Sequence, residues 1–433
     1  MTEILHAQQK TAAGPGTLRI AFFTETFLPR IDGTVTRLSQ TIRQLRGLGH
    51  EVLVIAPDGG IEEFEGARIH GVPGFPFPLY PEQKVAIPRP SIGRTLAAFR
   101  PHLIHALHPV LIGASAFHYS SVLRVPLVVS HHAQLHKWLS YYGLGVLEPA
   151  MWRAVRSAYN RADLVLVTSN VMRELLCERG ILRVELWQRG IDTEAFHPQH
   201  ASHEMRAKLT QGHPQDKLLL YVGRLSAEKE IEQCRGILQA IPGLRLALVG
   251  DGPHRSKLEQ HFAGTPTNFV GFVKGPDLAA AFASADVFFL PSRTETLGLV
   301  LLEAMAAGLP VVAAAEGGIL DVVQDGVTGH LYDPTDLSGA VVAIRRLLND
   351  SAHRETIRRN AHLDVEKWGW PAATRQLVGF YRDVLAREEE LSCKIAQEKA
   401  PGASPEAICQ NLRISRATFN RLMRAPAVAH ARR

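Results

Sequence analysis

The sequence predicts an α/β protein of two domains, each a parallel sheet covered by helices, with a short basic helical tail after them. The chain has 433 residues, which is more than one ordinary hydrophobic core holds. Short apolar, strand-like runs alternate with helical patterns, as is typical of parallel sheets. This alternation breaks at residues 190–198 and restarts at Lys217.

The first domain is expected to span residues 19–190, after a flexible tail at residues 1–18. A loop containing Asp32-Gly33-Thr34 follows its first strand and leads into a helix over Val35–Leu48, with Gly49 as its stop. The predicted strands are Arg19–Thr24, Glu51–Ala56, Leu103–Ala106, Leu127–His131 and Leu164–Thr168. They lie between helical stretches, which indicates parallel connections.

The second domain is expected over residues 217–370, after a polar linker at residues 191–216. Its predicted strands are Lys217–Val222, Leu244–Gly250, Asn268–Val270, Asp286–Leu290 and Val311–Ala313. A final helix over residues 371–390 would cross back toward the first domain. Residues 391–433 form the tail.

Composition narrows the class of protein. There is no run of 18 apolar residues, so no transmembrane helix is expected, and residues 1–16 lack the pattern of a secretion signal. The four cysteines lie far apart without a CxxC pair, which argues against a zinc site or a disulfide framework and fits a reducing cytosol. We therefore expect a cytoplasmic protein.

The positive charge is concentrated in the tail. The net charge of the chain is +6, and residues 391–433 hold eight Lys/Arg against two Glu, which accounts for all of it. The body is neutral, so charge does not support nucleic-acid binding by the whole protein. Residues 404–424 resemble a resolvase-type helix-turn-helix, with Ile408, Leu412, Ile414, Phe419 and Leu422 packing the pair. A helix-turn-helix would make the tail a nucleic-acid-binding fusion, and a basic amphipathic segment for anionic lipid is the alternative.

The segment Gly223–Lys229 follows a strand and precedes a helix. Such a junction offers backbone N–H groups, and Arg224 and Lys229 add the cations that a diphosphate needs. Two solvated loop charges are the alternative. The next strand ends at Gly250-Asp251-Gly252-Pro253, where glycines either let the backbone approach a ligand or form a tight turn.

The segment Ser292–Gly308 carries Glu295 and Glu303, eight positions apart. A helix starting at Thr296-Leu297-Gly298 would stand at the carboxyl end of a strand, where open parallel sheets bind ligands. Its free N–H groups would face an anion, and Glu303 would share a face with Glu295. Carboxylates only accept hydrogen bonds and therefore suit sugar hydroxyls. The alternative is that Glu295 merely interacts with the helix dipole and that Glu303 is a polar residue on a packed helix.

Together these segments resemble the family 4 glycosyltransferases, which have the GT-B fold of two facing Rossmann-like domains. The resemblance rests on Gly223-Arg224 with Lys229, on Glu295 and Glu303 with Gly298 between them, and on Gly317-Gly318, and it covers residues 19–390. It implies a retaining, metal-independent hexosyltransferase that uses a nucleotide sugar and no other cofactor.

A narrower resemblance is to the sulfolipid synthases of cyanobacteria and chloroplasts, within the same family. It is carried by the segments 74–82, 88–93, 186–194 and 221–231. It implies transfer of sulfoquinovose from UDP-sulfoquinovose to diacylglycerol; the lipid mannosyltransferases that use GDP-mannose are also similar, and a UDP-glucose-dependent enzyme or a non-lipid acceptor stays open. Those synthases carry Tyr-His-Thr-His where this chain has residues 131–134, His-His-Ala-Gln, which leaves the sugar and acceptor open.

The resemblance assigns roles by position. His132, Arg224, Lys229 and Glu295 would serve the reaction, with His132 near the sugar and no nucleophile assigned. The positions expected at the nucleotide sugar are Gly33, Arg224, Lys229, Gly250, Glu295, Thr296, Leu297, Gly298 and Glu303. Arg224 and Lys229 would neutralise the diphosphate, and Glu303 would hold the ribose.

A lipid acceptor implies contact with an anionic membrane surface, so we expect a peripheral protein at the cytoplasmic face. Aromatic and basic residues in Leu135–Arg161 suit an interfacial segment, with Trp138, Tyr141 and Tyr142 as its acceptor or membrane contacts. The alternative places Trp138 and Trp152 in the core. The segment Phe75–Tyr80 is a second candidate, as a loop at the acceptor side.

Overall fold

The computed structural model describes residues 16–30, 32–77, 80–132, 143–295, 298–398, 404–405, 408–409, 412, 414 and 416–423. Over these residues the chain forms two parallel-sheet domains, as the sequence predicted. The predicted strands at Arg19–Thr24, Leu127–His131 and Lys217–Val222 are confirmed with the same bounds. The other predicted strands differ by one residue at one end, except Asn268–Val270, which is one residue longer at each end.

The strands of the N-terminal domain are β1 Arg19–Thr24, β2 Glu51–Pro57, β3 Glu63–Phe64, β4 Ala67–Val72, β5 Gly74–Phe77, β6 Tyr80–Ala86, β7 Leu103–Leu107, β8 Leu127–His131, β9 Leu164–Val167 and β10 Val184–Leu186. The described residues form an eight-stranded sheet in the order β10-β9-β8-β7-β1-β2-β4-β3. Its strands are parallel except for β3, which pairs antiparallel with β4. Strands β5 and β6 form a separate antiparallel pair, where the sequence analysis expected a loop.

The helices of this domain are α1 Gly33–Gly47, α2 Pro90–Phe99, α3 Ile112–Leu123, α4 Glu148–Tyr159 and α5 Asn170–Glu178. Helix α1 packs on one face of the sheet, and the other four pack on the opposite face. Leu18 is fully buried on the α1 face, which corrects the prediction that the flexible tail extends to residue 18. Burial of apolar side chains on both faces stabilises the parallel sheet.

The C-terminal domain begins earlier than predicted. Helix α6, His203–Leu209, lies within the predicted linker, yet Met205 and Leu209 are buried in the core of the second domain. The guanidinium of Arg206 also donates to Asp286 at 2.7 Å. Residues 191–216 are therefore an integral part of the second domain rather than a free linker.

The second sheet contains β11 Lys217–Val222, β12 Leu244–Val249, β13 Thr267–Gly271, β14 Val287–Leu290, β15 Val311–Ala314 and β16 His330–Tyr332. Its described strands are all parallel, in the order β13-β12-β11-β14-β15-β16. The helices are α7 Cys234–Ala240, α8 Arg255–His261, α9 Gly275–Ala283, α10 Leu299–Ala306, α11 Leu337–Asn349 and α12 Ser351–Val365. Because β11 is central, its carboxyl end opens at the middle of the sheet, where such sheets bind ligands.

Two chain segments cross between the domains side by side. The backbone N–H of Ile191 donates to the carbonyl of Trp368 at 2.6 Å, and the indole of Trp187 donates to the carbonyl of Ala373 at 3.2 Å. The next helix, α13 Trp370–Glu398, then packs on the α1 face of the first domain. The crossing back is as predicted, but the helix is longer than residues 371–390.

The tail packs against the N-terminal domain. Helix α14, Arg416–Met423, joins a small apolar cluster with the end of α13 that contains Leu391, Ile395, Ile408, Ile414, Phe419 and Leu422. Arg421, 5% exposed, donates to both carboxylate oxygens of Asp163 at 2.8 Å and to Glu388 at 2.9 Å. Since these contacts fix the tail to the first domain and to α13, they argue against its use as a free DNA-binding unit.

Candidate functional site

The predicted diphosphate loop lies at the carboxyl end of β11. Arg224 is partly buried there, and the loop continues into a single 3₁₀ turn over Ala227–Lys229. The phenol of Tyr221 donates to the carbonyl of Arg224 at 3.1 Å, which holds the loop against the strand. Both predicted cations therefore follow directly from the central strand of the second sheet.

Gly250 has a packing role in this loop. Its φ is +133°, and a Cβ atom there would stand 1.9 Å from the carbonyl oxygen of Gly223. The close approach brings the loops after β11 and β12 together, and the N–H of Leu225 donates to the carbonyl of Asp251 at 3.0 Å. The need for glycine at this position is thus explained by contact between two loops, without a ligand.

Lys229 and Glu295 form an ion pair between the loops that follow β11 and β14. The two side chains are only 20% and 17% exposed. The loop of Glu295 is held in turn by the N–H of Gly318, which donates to the Glu295 carbonyl at 2.8 Å. The sequence analysis assigned both residues to the donor, and the structure brings them together.

Helix α10 presents its N-terminus at this same edge. Its N-cap is Gly298, which has no side chain to cap the helix, and the described first turn holds no acidic residue. In the first domain, by contrast, Asp32 accepts two N–H groups of α1, and Glu25 accepts the N–H groups at the start of α3. The N-terminus of α10 is therefore the one of these three with no acidic cap, and it suits an anion.

The bounds of α10 correct one prediction. The helix begins at Leu299 rather than at Thr296, so Glu295 lies in the preceding loop. The argument that Glu295 and Glu303 share a helical face is therefore wrong. Thr296 and Leu297 lie outside the described residues.

Glu303 is a partly buried carboxyl in the middle of an otherwise apolar helix. Desolvation raises its pKa from 4.5 to about 8. Among the described residues its carboxyl has neither a hydrogen-bond partner nor an ion-pair partner. A desolvated carboxyl without a protein partner is costly unless a ligand uses it.

On the first domain, His132 follows β8 directly. It is 4% exposed, and its Nε2 lies 2.7 Å from the hydroxyl of Ser130. Burial lowers its pKa well below 6.5, with nearby Arg37 adding to the effect, so the imidazole is neutral. Gly33 is the exposed first residue of α1, at the same edge of the sheet.

The aromatic segment is described only in part. Trp138, Tyr141 and Tyr142 lie outside the described residues. Trp152 is 6% exposed and packs in the core of the first domain, so the alternative that made it a core residue is confirmed. Its indole donates to Glu148 at 3.1 Å.

The sequence analysis missed a contact between the domains. Asp321 accepts the N–H of Asn170, the first residue of α5, at 2.5 Å. The same carboxylate lies 3.6 Å from the buried guanidinium of Arg189, which also donates to the carbonyl of Gly318 at 3.2 Å. This contact joins the two domains beside the loop that holds Glu295, and no local pattern signals it.

No cluster of three or more potential ligands for a metal ion occurs within the described part of the chain. None of the described helices is both long enough and apolar enough to cross a membrane. The polar groups at the carboxyl edge of the second sheet include the side chains of Arg224, Lys229 and Glu295.

Two parallel-sheet domains, the second with a cationic loop, an uncapped helix N-terminus and the carboxylate of Glu295 at the carboxyl edge of its sheet, define a GT-B glycosyltransferase. Family models support this: one described as Glycosyltransferase Family 4 matches residues 31–195, and one described as Glycosyl transferases group 1 matches residues 205–364.

Relatives support the same assignment. The chain is similar to the sulfoquinovosyl transferase SQD2 of Arabidopsis thaliana, with 39% identity over 83% of this chain and 72% of the relative. It is also similar to the GDP-mannose-dependent alpha-mannosyltransferase of Mycolicibacterium smegmatis, with 35% identity over 86% of this chain and 98% of the relative. The sucrose-phosphate synthase structure from Thermosynechococcus elongatus matches with a TM-score of 0.68 and 24% identity, over 86% of this chain and all of that one. The chain belongs to glycosyltransferase family 4.

Proposed function

We propose that this glycosyltransferase moves sulfoquinovose from UDP-sulfoquinovose to diacylglycerol, with retention of the anomeric configuration. The observation that carries the proposal is the 39% identity to a sulfoquinovosyl transferase over most of the chain. The donor-side residues support it: Arg224 and Lys229 supply charge for a diphosphate, and Glu303 offers an unpaired carboxyl for hydroxyl groups.

The reaction breaks the bond between the sugar C1 and the diphosphate oxygen and forms a bond from C1 to the acceptor oxygen. Negative charge then develops on the departing diphosphate, where Arg224, Lys229 and the N-terminus of α10 would stabilise it. For retention we propose attack from the face that the diphosphate leaves. The acceptor proton would pass to a diphosphate oxygen, so the scheme requires no protein nucleophile.

The donor is tested by calorimetry with UDP-sulfoquinovose, UDP-glucose and GDP-mannose, with Lys229→Ala as the variant. Tight binding of UDP-sulfoquinovose alone, lost in the variant, is the expected result. The second candidate is a GDP-mannose- or UDP-glucose-dependent enzyme, favoured by the mannosyltransferase relative and by the residues at 131–134. Preference for either of those donors would replace the sulfolipid proposal.

We further propose that the carboxyl edge of the first domain rests on an anionic membrane at the cytoplasmic face. Exposed apolar side chains lie near this edge: Phe75 in β5 just after β4, Val110 just after β7, and Val146 just before α4, with exposed fractions of 51%, 53% and 86%. The carboxyl ends of parallel strands share one edge, and a helix that leads back to the next parallel strand begins at that edge, so the three residues lie at the same edge of the domain. Apolar side chains inserted at the headgroups would hold the enzyme beside its lipid acceptor.

The membrane proposal is tested by sedimentation with vesicles that contain phosphatidylglycerol. Val146→Asp should reduce vesicle binding and transfer to diacylglycerol together. Val342→Asp is the matched control, because Val342 is 64% exposed on α11 of the second domain. An equal loss in both variants, or no loss in Val146→Asp, would count against this surface.

A further inference from the structure

His108 follows β7 at the carboxyl edge of the first domain, in a strained conformation. Its φ is +44°, in the left-handed region that side chains other than glycine rarely adopt. Its N–H donates to the carbonyl of Ser130 at 2.7 Å, which holds it beside β8. Strain of this kind costs about 1–3 kcal/mol and occurs preferentially at functional sites.

The ring of His108 has no hydrogen-bond partner among the described residues. Nδ1 is buried without one, whereas Nε2 is reached by solvent. The ring packs against the ring of His131 at a centroid distance of 5.1 Å, which fixes its direction. Nε2 is thus a positioned, unused polar atom.

Protein surrounds most of the His108 side chain. Desolvation lowers its pKa to about 4, yet the residue remains partly exposed to solvent. The imidazole is therefore desolvated by its neighbours and still reached by solvent. The imidazole there is neutral at physiological pH.

His108 also stands between two features of the proposed reaction. Strand β7 neighbours β8, and His132 directly follows β8. On the other side, the exposed apolar residues Val110 and Leu111 follow His108 closely in the chain. His108, Val110 and Leu111 therefore follow the same strand at this edge, where an apolar molecule in contact with the two apolar side chains would carry its hydroxyl close to the imidazole.

We propose that Nε2 of His108 forms a hydrogen bond with the attacking hydroxyl of the acceptor and so determines acceptor affinity. The inference rests on the proposed function only in taking the acceptor as a hydroxyl on an apolar molecule. It needs no particular donor sugar. The role is positioning, since the acceptor proton leaves on the diphosphate.

The test compares full-length His108→Ala, His108→Gln and His108→Gly, using diacylglycerol in mixed micelles and whichever nucleotide sugar binds to the wild type. His108→Ala should raise the KM for diacylglycerol about three- to tenfold, as expected for one neutral hydrogen bond, with the dissociation constant for UDP unchanged. His108→Gln, whose amide can reach near Nε2, should recover part of the loss.

His108→Gly separates the ring from the backbone, because glycine relieves the positive φ while it also lacks the imidazole. The KM for diacylglycerol should rise as much in His108→Gly as in His108→Ala. Recovery in the glycine variant, an unchanged KM in the alanine variant, or an equal loss of UDP affinity would overturn the proposal. If no nucleotide sugar binds to the wild type, the proposed function fails first, and that failure is visible in calorimetry before the variants are measured.

Discussion

Lys229 and Glu295 neutralise each other across the loops after β11 and β14, although both positions are expected at the donor. The ion pair shields the cation that a diphosphate needs, so donor binding must compete with Glu295 for Lys229. A nucleotide sugar would resolve this competition by engaging both groups, the phosphate at the lysine and sugar hydroxyls at the carboxylate.

Glu295→Gln should therefore distinguish the affinity for the nucleotide from the affinity for the sugar. The neutral amide releases Lys229, so UDP alone should bind at least as tightly as to the wild type, whereas the sugar should add less affinity than before. Calorimetry with UDP and with the nucleotide sugar measures both. Weaker binding of UDP by this variant would show that Glu295 does not compete for the lysine.

Lys229→Met should weaken UDP binding about ten- to a hundredfold, because a charge-assisted hydrogen bond contributes about 1.5–3 kcal/mol. The same titration with Lys257→Met is the control, since Lys257 is an exposed residue of α8. Equal effects of the two substitutions would mean that only the overall charge matters.

The raised pKa of Glu303 implies that the stability of the folded protein depends on pH. Its pKa is raised from 4.5 to about 8, so the folded state retains a proton that the unfolded state loses over that interval. This carboxyl destabilises the fold by about 1.4 kcal/mol for each pH unit from 4.5 upward, until the penalty becomes constant above pH 8.

Glu303→Gln removes the penalty. Its melting temperature should match that of the wild type near pH 4.5 and exceed it by a growing margin up to pH 8, in the absence of donor. Differential scanning fluorimetry across this range measures the difference. A difference independent of pH would mean that the carboxyl is ionised in the folded protein.

The two ion pairs of Arg421 should contribute strongly to holding the tail against the rest of the protein. It is buried between Asp163 and Glu388, and removal of one partner of a buried ion pair costs about 3–5 kcal/mol because the remaining charge is uncompensated. Arg421→Met should increase amide hydrogen exchange in α14 and at the end of α13.

Asn420→Ala is the control, because Asn420 is on the exposed side of the same helix, and it should leave exchange unchanged. If Arg421→Met retains its protection from exchange, the apolar cluster alone holds the tail.

At the crossing between the domains, position 190 leaves no room for a side chain. A Cβ atom there would lie 2.2 Å from the indole of Trp370, so Gly190→Ala must displace the start of α13. We expect a lower free energy of unfolding from urea titration. Gly379→Ala is the control within α13, because nothing lies within 4 Å of its added Cβ and alanine favours a helix by about 1 kcal/mol. The double variant Gly190→Ala, Trp370→Leu should recover part of the loss.

The two-domain architecture and most strand positions could be predicted from the sequence because they follow from local periodicity and from the turn residues between apolar runs. The start of α10 could not be, since the choice between Thr296 and Leu299 depends on how Gly298 and the loop of Glu295 pack against Gly318. The linker prediction was wrong for a similar reason. The segment is mostly polar, and its two buried apolar residues, Met205 and Leu209, could be recognised only from their packing in the core of the second domain.

The sequence by itself determined the family and the residue types that can hold a nucleotide sugar, because those types recur at characteristic spacings in strand–loop–helix contexts. Only the tertiary structure decided their partners. Lys229 and Glu295 are 66 positions apart, and Arg421 and Asp163 are 258 apart. Contacts over such distances depend on how whole elements pack, and short-range patterns carry no information about that.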